Sequence, residues 1–257
     1  MSTQLTLNGV DAIHARERLH HDDIAHGLDP ARMPPARATE AERALLRRIG
    51  NIAGKNVLEV GCGDGSLTLH LLARGASVTA LDLSPGMVRV AQERAERFRP
   101  GSDFRFVVAP AEETGLPAGG FDVVVGKWVL HHLDLARGAQ ELARVLRPGG
   151  TGLFMETSAL NPVLRWARQH LVGRFGVASC GTADEYPLGE QALRELTVTF
   201  SRVYVSFPVF RFFELVDRVF RGKLPPLTVA FRLLDRVAAL VPGLRRYSYQ
   251  MLIRTER

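Results

Sequence analysis

The segment VLEVGCGDGSLTLHL, residues 57–71, places three glycines between two apolar stretches. The run before Gly61 has the length of a short buried strand, and the run after Gly65 has the spacing of a helix. Glycine adopts backbone angles that are closed to other residues and lets a ligand approach the main chain. The N–H groups at the start of a helix lack intrahelical partners. The segment therefore predicts a strand, a ligand-binding turn and a helix.

The alternation of strand and helix continues to residue 157. The sequence predicts helices that begin after Thr39, whose capping box includes Glu42, after Ser84, an N-cap followed by Pro85, and near Asp134, and two later helices separated by a break at Pro225-Pro226. It predicts strands over residues 55–60, 76–83, 103–109, 121–130 and 151–157. Such alternation favours right-handed crossovers and an α/β fold with a doubly wound, mostly parallel sheet and helices on both faces. In this architecture ligands bind outside the carboxyl ends of the strands, where the glycine turn would lie.

Two features of the glycine turn argue against a dinucleotide. Its third glycine comes one residue earlier than in the G-x-G-x-x-G pattern, and Glu59 and Asp64 flank it with negative charge that would repel a pyrophosphate. Asp82, at the end of the second strand, can accept both hydroxyls of a ribose. The site is therefore suited to a nucleoside with a cationic arm, a description that S-adenosylmethionine meets.

Several segments in order resemble the class I S-adenosylmethionine-dependent methyltransferases, and in particular those that act on small molecules and natural products. They are VLEVGCGDG, ALDLSPGMV, VVAPAEETGLPAGGFDVVVGKWVLHHL and ELARVLRPGG, within residues 55–157. The resemblance implies S-adenosylmethionine as cofactor, S-adenosylhomocysteine as product, and a sheet of seven strands with the last one antiparallel. Many relatives have an acid where Pro110 stands, so we expect adenine recognition to rest on Ala111 and Glu112. The cofactor-binding residues expected are Glu59, Gly61, Cys62, Gly63, Asp82, Leu83, Met87, Ala111, Glu112 and Lys127.

His131 and His132 directly follow the fourth strand and are the expected catalytic residues. Methyl transfer from a sulfonium mainly requires alignment and exclusion of water, but an alcohol or phenol acceptor also gains from a general base. The resemblance places the histidine pair on the acceptor side of the methyl group. Because adjacent side chains point apart, we expect only one of them to face the cleft; a structural role for the pair stays open.

A metal site is not expected from the sequence. His14, His20, His21 and His26 lie in the N-terminal segment, but their spacing matches no compact zinc pattern. We expect Cys62 to be a packed residue rather than a nucleophile, since nothing near it in the sequence would depress its pKa. With Cys180 as the second cysteine, the chain has no disulfide framework, which favours a reducing cytoplasm.

The domain boundaries follow from these elements. Residues 1–50 are predicted to form a helical lid, and residues 51–257 a Rossmann-like domain with helical insertions at about 159–180 and 208–243. The second insertion separates the last two strands and carries apolar stripes, first Phe210, Phe213, Val216 and Phe220, then Leu227, Phe231, Leu234 and Val237. We expect these to wall an apolar acceptor pocket; a homodimer face and a membrane surface are less favoured alternatives.

The net charge of +6 does not by itself indicate a nucleic-acid partner, because the arginines are dispersed among acidic residues. The predicted function is methyl transfer to an oxygen, or to a nitrogen or carbon, of a small and apolar metabolite. Methylation of RNA or protein and non-catalytic cofactor binding remain alternatives.

Overall fold

The computed structural model describes residues 2–170, 187–213 and 225–257. Seven strands form one sheet in the order β3-β2-β1-β4-β5-β7-β6. Every neighbouring pair from β3 to β5 is parallel, and β7 lies antiparallel between β5 and β6. The predicted fold class is thereby confirmed. The strands are β1 Asn56–Val60, β2 Ser77–Asp82, β3 Phe104–Val108, β4 Phe121–Lys127, β5 Leu146–Thr157, β6 Arg202–Ser206 and β7 Gln250–Glu256.

Helices cover both faces of the sheet because successive residues of its central strands point to opposite sides. In β1, Val57 belongs to a core cluster shared with helices α2, α3 and α4, and Leu58 to a cluster shared with α5 and α7. A short 3₁₀ turn, Leu130–His132, follows β4. The described helices are α1 Ser2–His26, α2 Glu40–Ile49, α3 Ser66–Leu72, α4 Pro85–Phe98, α5 Leu135–Val145, α6 Pro162–His170, α7 Glu190–Thr199, α8 Pro225–Ala238 and α9 Pro242–Arg245.

Local capping signals fix the starts of three helices. Thr39 and Glu42 form the predicted capping box of α2, each side chain accepting from the other residue's backbone N–H. Ser84 caps α4 with Pro85 at its first position, as predicted, and Asp134 caps α5. These starts are local properties, so they follow from a few neighbouring residues.

Helix α1 crosses the carboxyl end of the sheet and docks on the start of α4. The Asp22 carboxylate accepts hydrogen bonds from the Ser84 hydroxyl at 2.5 Å and the Gly86 N–H at 3.0 Å. Ala25 of α1 packs in a small buried cluster with Met87 and Val90 of α4. Helix α1 therefore occupies the place predicted for a lid, and its movement as a lid stays a prediction.

The C-terminal part of the chain differs from the expected pocket wall. Helix α8 begins at Pro225, where the sequence predicted a break, but Leu234 and Val237 are exposed and Phe231 is only half-buried. Part of the first stripe, Val216 and Phe220, lies outside the described residues, as does Cys180 with much of the 159–180 insertion. Among the described helices, none has the length and apolar character required to cross a membrane.

Candidate active site

The glycine turn is held in place by backbone hydrogen bonds to the neighbouring strand. The N–H groups of Gly61 and Cys62 both donate to the Leu81 carbonyl oxygen, at 2.8 and 3.0 Å. Gly61, Gly63 and Gly65 have φ angles of 69°, 50° and 77°, in the left-handed region that L side chains rarely adopt. The turn is therefore a rigid backbone surface at the carboxyl end of β1.

The glycines differ in what surrounds them. A Cβ atom at Gly65 would lie 2.9 Å from the Ala91 Cβ, so this glycine allows helix α3 to pack closely against α4. A Cβ atom at Gly63 would meet nothing within 4 Å. Gly63 is thus free of close packing, and the open space beside it is available to a ligand.

Asp82 joins the glycine turn to the end of β2. Its Oδ2 accepts a hydrogen bond from the Gly63 N–H at 2.8 Å, and its Oδ1 accepts one from the Ser84 N–H at 2.9 Å. A carboxylate has about four lone-pair sites, so this buried group keeps acceptor capacity for two further donors, as the vicinal hydroxyls of a ribose would require.

The acidic residues that argued for a cationic ligand are compensated inside the protein. Arg94, almost fully buried, donates to Asp64 Oδ2 at 2.7 Å and also to the Asp64 carbonyl oxygen. Glu59 is buried and accepts a hydrogen bond from the Thr68 hydroxyl at 2.5 Å; desolvation raises its pKa to about 8. The protonated Glu59 and the Asp64–Arg94 ion pair therefore present less negative charge at the glycine turn than the sequence alone indicates, and contact of Glu59 with the cofactor stays a prediction.

Glu112 lies beside Ala111, and both are buried. Its Oε1 accepts a hydrogen bond from the Asp134 N–H at 2.9 Å and lies 3.3 Å from His14 Nε2 of helix α1. Its other oxygen, Oε2, is buried and has no hydrogen-bond partner among the described residues. A buried acceptor without a donor is costly, so this oxygen is suited to an N–H group of a ligand such as adenine.

The other expected cofactor residues occupy different environments. Leu83 is half-buried and lines a cavity of about 140 Å³ with His14, Ala15 and Arg18 of helix α1. Met87 instead packs against Ala25. Cys62 is buried, and burial raises its thiol pKa well above the ordinary value, consistent with the expectation that it is not a nucleophile.

Lys127 is engaged with helix α2. Its Nζ lies 2.5 Å from Glu42 Oε1 and 5.0 Å from the centre of the Trp128 ring. Burial acts to raise the pKa of Glu42, but Lys127 and the hydrogen bonds with Thr39 lower it overall. The expected role of Lys127 in cofactor binding stays a prediction, and the contact we observe is an ion pair.

His131 is oriented by a carboxylate that the sequence analysis did not single out. Glu156, at the end of β5 and fully buried, accepts hydrogen bonds from the N–H groups of Val129 and Leu130 at 2.9 and 2.8 Å. Its other oxygen lies 2.7 Å from His131 Nδ1. One carboxylate therefore fixes both the 3₁₀ turn and the histidine ring.

The two histidines do not point apart. Their ring centres are 4.2 Å apart at an angle of 34°. The expectation that the adjacent side chains point apart is wrong, whereas the expectation that only one of them faces the cleft stays a prediction. In the observed 3₁₀ turn, with three residues per turn, successive side chains diverge by a smaller angle.

Residues missed by the sequence analysis come from distant segments. Arg94 pairs with Asp64 across 30 positions of the chain, and Glu156 orients His131 across 25 positions. Pairings between residues so far apart leave no recognisable pattern in the local sequence. Trp128, which follows β4, adopts a φ of 56°. A bulky residue in this region is strained, as residues at functional sites often are.

A second cavity, of about 270 Å³, lies away from the glycine turn. It is lined by Arg48 of α2 and by side chains of β5, β6 and β7. No cluster of site residues faces it, so the cavity between α1 and Leu83 is the one that belongs to the candidate site.

Comparisons with known proteins agree with this geometry. Residues 58–154 match the family model of a methyltransferase domain. An uncharacterised methyltransferase of Mycobacterium tuberculosis is 34% identical over 142 residues, covering 55% of this chain and 68% of that protein. A ubiquinone biosynthesis O-methyltransferase of Aromatoleum aromaticum is 39% identical over 42% of this chain and 47% of its own length. The crystal structure of geranyl diphosphate C-methyltransferase from Streptomyces coelicolor, in complex with Mg²⁺, geranyl diphosphate and S-adenosylhomocysteine, has a TM-score of 0.57 at 17% identity, covering 84% and 76% of the two chains.

Proposed function

This chain belongs to the class I S-adenosylmethionine-dependent methyltransferases, and we propose that it methylates an oxygen, or a nitrogen or carbon, of a small apolar metabolite in a bacterial biosynthetic pathway. The family supplies the cofactor and the reaction type. The single observation that carries the proposal is the cluster at the carboxyl ends of β1, β2 and β4, where the glycine turn, Asp82 and Glu112 lie beside a carboxylate-oriented histidine.

The residues present fit S-adenosylmethionine. Gly63 offers open space against bare backbone, and Asp82 retains acceptor sites for ribose hydroxyls. The partnerless Oε2 of Glu112 is suited to the adenine amino group. We assign Gly61, Cys62, Leu83 and Ala111 to the surface around the nucleoside. We place Glu59 and Met87 behind this surface, where Glu59 accepts a hydrogen bond from Thr68 and Met87 packs with Ala25.

The cofactor supplies an activated methyl group on a sulfonium, so the protein's task is to align the acceptor and exclude water. Helix α1 covers the site from the solvent side through Asp22 and His14. Ligand pockets commonly measure about 300–1,000 Å³, whereas the cavity under α1 measures about 140 Å³. We therefore propose that α1 moves outward when cofactor or acceptor enters.

We assign general-base catalysis to His131, with Glu156 as its positioning residue. The hydrogen bond between Glu156 and Nδ1 fixes the ring and leaves Nε2 as the nitrogen that can face an acceptor. The same arrangement of a histidine oriented by a carboxylate serves other bases. Nε2 would take up the proton that an acceptor hydroxyl loses when it is methylated. If the acceptor atom were carbon, a base would be needed at a different step. The contribution of His131 to the rate therefore depends on the nature of the acceptor.

The relatives support a small-molecule acceptor. Those with named substrates include ubiquinone biosynthesis and demethylmenaquinone methyltransferases, but each match covers about half of those chains, so their substrates are not assigned to this protein. Methylation of RNA or protein has no supporting feature among the described residues. Non-catalytic cofactor binding remains the second candidate.

The cofactor part of the proposal is tested by calorimetry with S-adenosylhomocysteine. Asp82→Ala should weaken binding at least tenfold, because it removes the ribose acceptor and loosens the Gly63 backbone. Asp103→Ala removes an exposed carboxylate at the opposite ends of the strands and should leave the affinity unchanged. Equal affinity of wild type and Asp82→Ala would contradict the assignment.

The catalytic part is tested with a methyl-labelled cofactor and a panel of apolar phenols, alcohols, amines and carboxylic acids. We expect transfer to at least one class, and we expect His131→Ala and Glu156→Gln to lower kcat with little effect on cofactor affinity. Tight cofactor binding without transfer to any member would favour the non-catalytic candidate. Unchanged turnover in His131→Ala would remove the base assignment.

A further inference from the structure

Three side chains converge where helix α1 passes over the 3₁₀ turn. They are Glu17 and His21 of α1 and His132, and one ligand atom from each lies within 4.8 Å of the other two. The sequence does not link His132 to the other two residues, because it lies more than 100 positions away from them.

The geometry points to a site for a divalent transition-metal ion, with Zn²⁺ as the natural occupant, and we propose that this ion bridges helix α1 to the acceptor side of the cleft. The proposal goes beyond methyl transfer and does not depend on it. It adds a metal site to a chain whose sequence spacing predicted none.

The two distances from the carboxylate oxygen to the histidine nitrogens match those around a tetrahedral ion, and the two nitrogens lie within 4.8 Å of each other. His132 Nδ1 and His21 Nε2 lie 3.2 and 3.6 Å from Glu17 Oε2. Metal–ligand bonds of about 2.0–2.2 Å in tetrahedral geometry separate neighbouring ligand atoms by about 3.3–3.5 Å. The three atoms therefore stand close to positions from which a single ion could be bound without large movement.

The donor set is also chemically suited to zinc. Two imidazoles and one carboxylate form the protein ligands of several catalytic zinc sites, in which a fourth position stays open for water or substrate. Glu17 and His21 are spaced i,i+4, which places both on one face of α1. The Glu17 side chain is 6% exposed, and a buried carboxylate is stabilised by a cation at its oxygen.

Two further histidines, His131 and His20, lie beside the proposed metal ligands. His131 stacks beside His132 with ring centres 4.2 Å apart and is itself bound to Glu156. His20 lies on the exposed side of α1, with its ring 5.4 Å from that of His21. Coordination of His132 through Nδ1 would leave His131 as the histidine available for proton transfer, in agreement with the role assigned to it.

The competing explanation is a proton in place of the metal. A protonated His132 or His21 would form an ion pair with Glu17 at the same distances. The two explanations differ in whether the protein takes up a metal, in what stoichiometry, and with which ligands.

The test is titration of the metal-free full chain with Co²⁺, monitored by its visible absorption, and with Zn²⁺ by equilibrium dialysis. We expect one equivalent bound, a tetrahedral Co²⁺ spectrum, and at least tenfold weaker binding in Glu17→Gln, His21→Ala and His132→Ala. His20→Ala removes an imidazole from the same turn of the helix and should bind like wild type.

Folding of each variant is checked by the rise in Tm that S-adenosylhomocysteine produces, a readout that does not involve the metal ligands. Failure of the wild type to retain stoichiometric metal would overturn the proposal in favour of the proton-mediated ion pair. Binding that is unchanged in His21→Ala and His132→Ala would overturn it as well, since the ion would then be held elsewhere. Loss of metal binding with cofactor binding retained would leave the methyltransferase assignment untouched.

Discussion

At the residue scale, burial changes the charge of groups that the sequence presents as equivalent acids. Glu59 and Asp82 lie at or near the ends of neighbouring parallel strands, and desolvation raises the pKa of Glu59 to about 8 because it outweighs the hydrogen bond with Thr68. Asp82 accepts hydrogen bonds from two backbone N–H groups at the glycine turn and the start of α4. The surroundings of a carboxyl group, rather than its residue type, therefore decide whether it supports the fold or faces a ligand.

Glu59 predicts a specific dependence of stability on pH. Because its pKa is higher in the folded protein than in the unfolded chain, folded Glu59 keeps a proton that the unfolded chain releases above about pH 4.5. Its contribution is fully present below that pH and is lost as the pH rises toward 8. The free energy of unfolding should therefore fall by up to about 1.4 kcal/mol per pH unit in this window.

Glu59→Gln removes this proton linkage. We expect the difference in stability between the variant and wild type to grow in favour of the variant between pH 5 and 8, measured by urea unfolding at several pH values. Glu113→Gln, at an exposed position, should follow wild type throughout. A constant difference for Glu59→Gln across this range would show that the folded pKa is ordinary.

At the scale of elements, the glycine turn combines two tasks in one short segment. Gly65 lets α3 start close to Ala91 of α4, whereas Gly63 borders open space. Both have positive φ angles, so the sequence motif alone does not separate packing from ligand binding. The separation depends on which glycine faces another helix.

Gly65→Ala and Gly63→Ala should therefore differ in their effects. Gly65→Ala brings its Cβ within 2.9 Å of the Ala91 Cβ and should destabilise the fold by about 1–3 kcal/mol. Gly63→Ala carries only the backbone strain of a positive φ, about 1–2 kcal/mol, but should weaken S-adenosylhomocysteine binding at least tenfold. Thermal unfolding and calorimetry on both variants check this, and cofactor affinity equal to wild type in Gly63→Ala would contradict it.

Helix α1 has a polar anchor at the start of α4, in addition to its contacts with Glu112 and His132. The hydrogen bond from Ser84, the largest contribution, lowers the pKa of Asp22, with smaller ones from Gly86 and nearby basic groups. We expect Asp22→Ala to release α1 and to speed tryptic cleavage at Arg16 and Arg18 several-fold under native conditions. Asp23→Ala, at the exposed neighbouring position, is the matched control. If both variants are cleaved at the wild-type rate, α1 is held by its apolar contacts instead.

At the scale of the whole molecule, the site joins segments from most of the described chain. It includes α1, the turn after β1, the end of β2, the loop after β3 and the 3₁₀ turn. Several apolar side chains of the α8–α9 region are exposed beside arginines, namely Val229, Leu233, Leu234, Val237, Leu240, Val241 and Leu244. A homodimer face and a membrane surface at this place stay predictions, as does a pocket formed with residues outside the described range.

Because the site draws on so many segments, cofactor binding should stabilise the entire fold. S-adenosylhomocysteine at 100 times its Kd should add about 2.7 kcal/mol to the free energy of unfolding. For a chain of this size we expect Tm to rise by roughly 5–10 °C, measured by scanning calorimetry. Asp82→Ala should show a much smaller rise at the same ligand concentration, and an undiminished rise would place the ligand elsewhere.

Much of the fold could be predicted because its signals are local. The alternation of apolar strands with capped helices identified the sheet, and Thr39 and Ser84 marked the helix starts to the residue. The motif around Gly61 and Asp82 likewise identified the cofactor side of the site, since residues near in sequence meet at the end of adjacent parallel strands.

The sequence by itself determined the α/β architecture and the place of the glycine turn, because periodicity and glycine geometry act over a few residues, and its resemblance to the class I methyltransferases indicated the chemical class of the ligand. Only the tertiary structure decided which side-chain charges are compensated in the folded protein and which distant residues come into contact. Three contacts join residues that are far apart in the chain. They are the pairing of Asp64 with Arg94, the pairing of His131 with Glu156, and the approach of Glu17 and His21 to His132. Desolvation and coordination depend on what surrounds a side chain in space, and no local pattern encodes that.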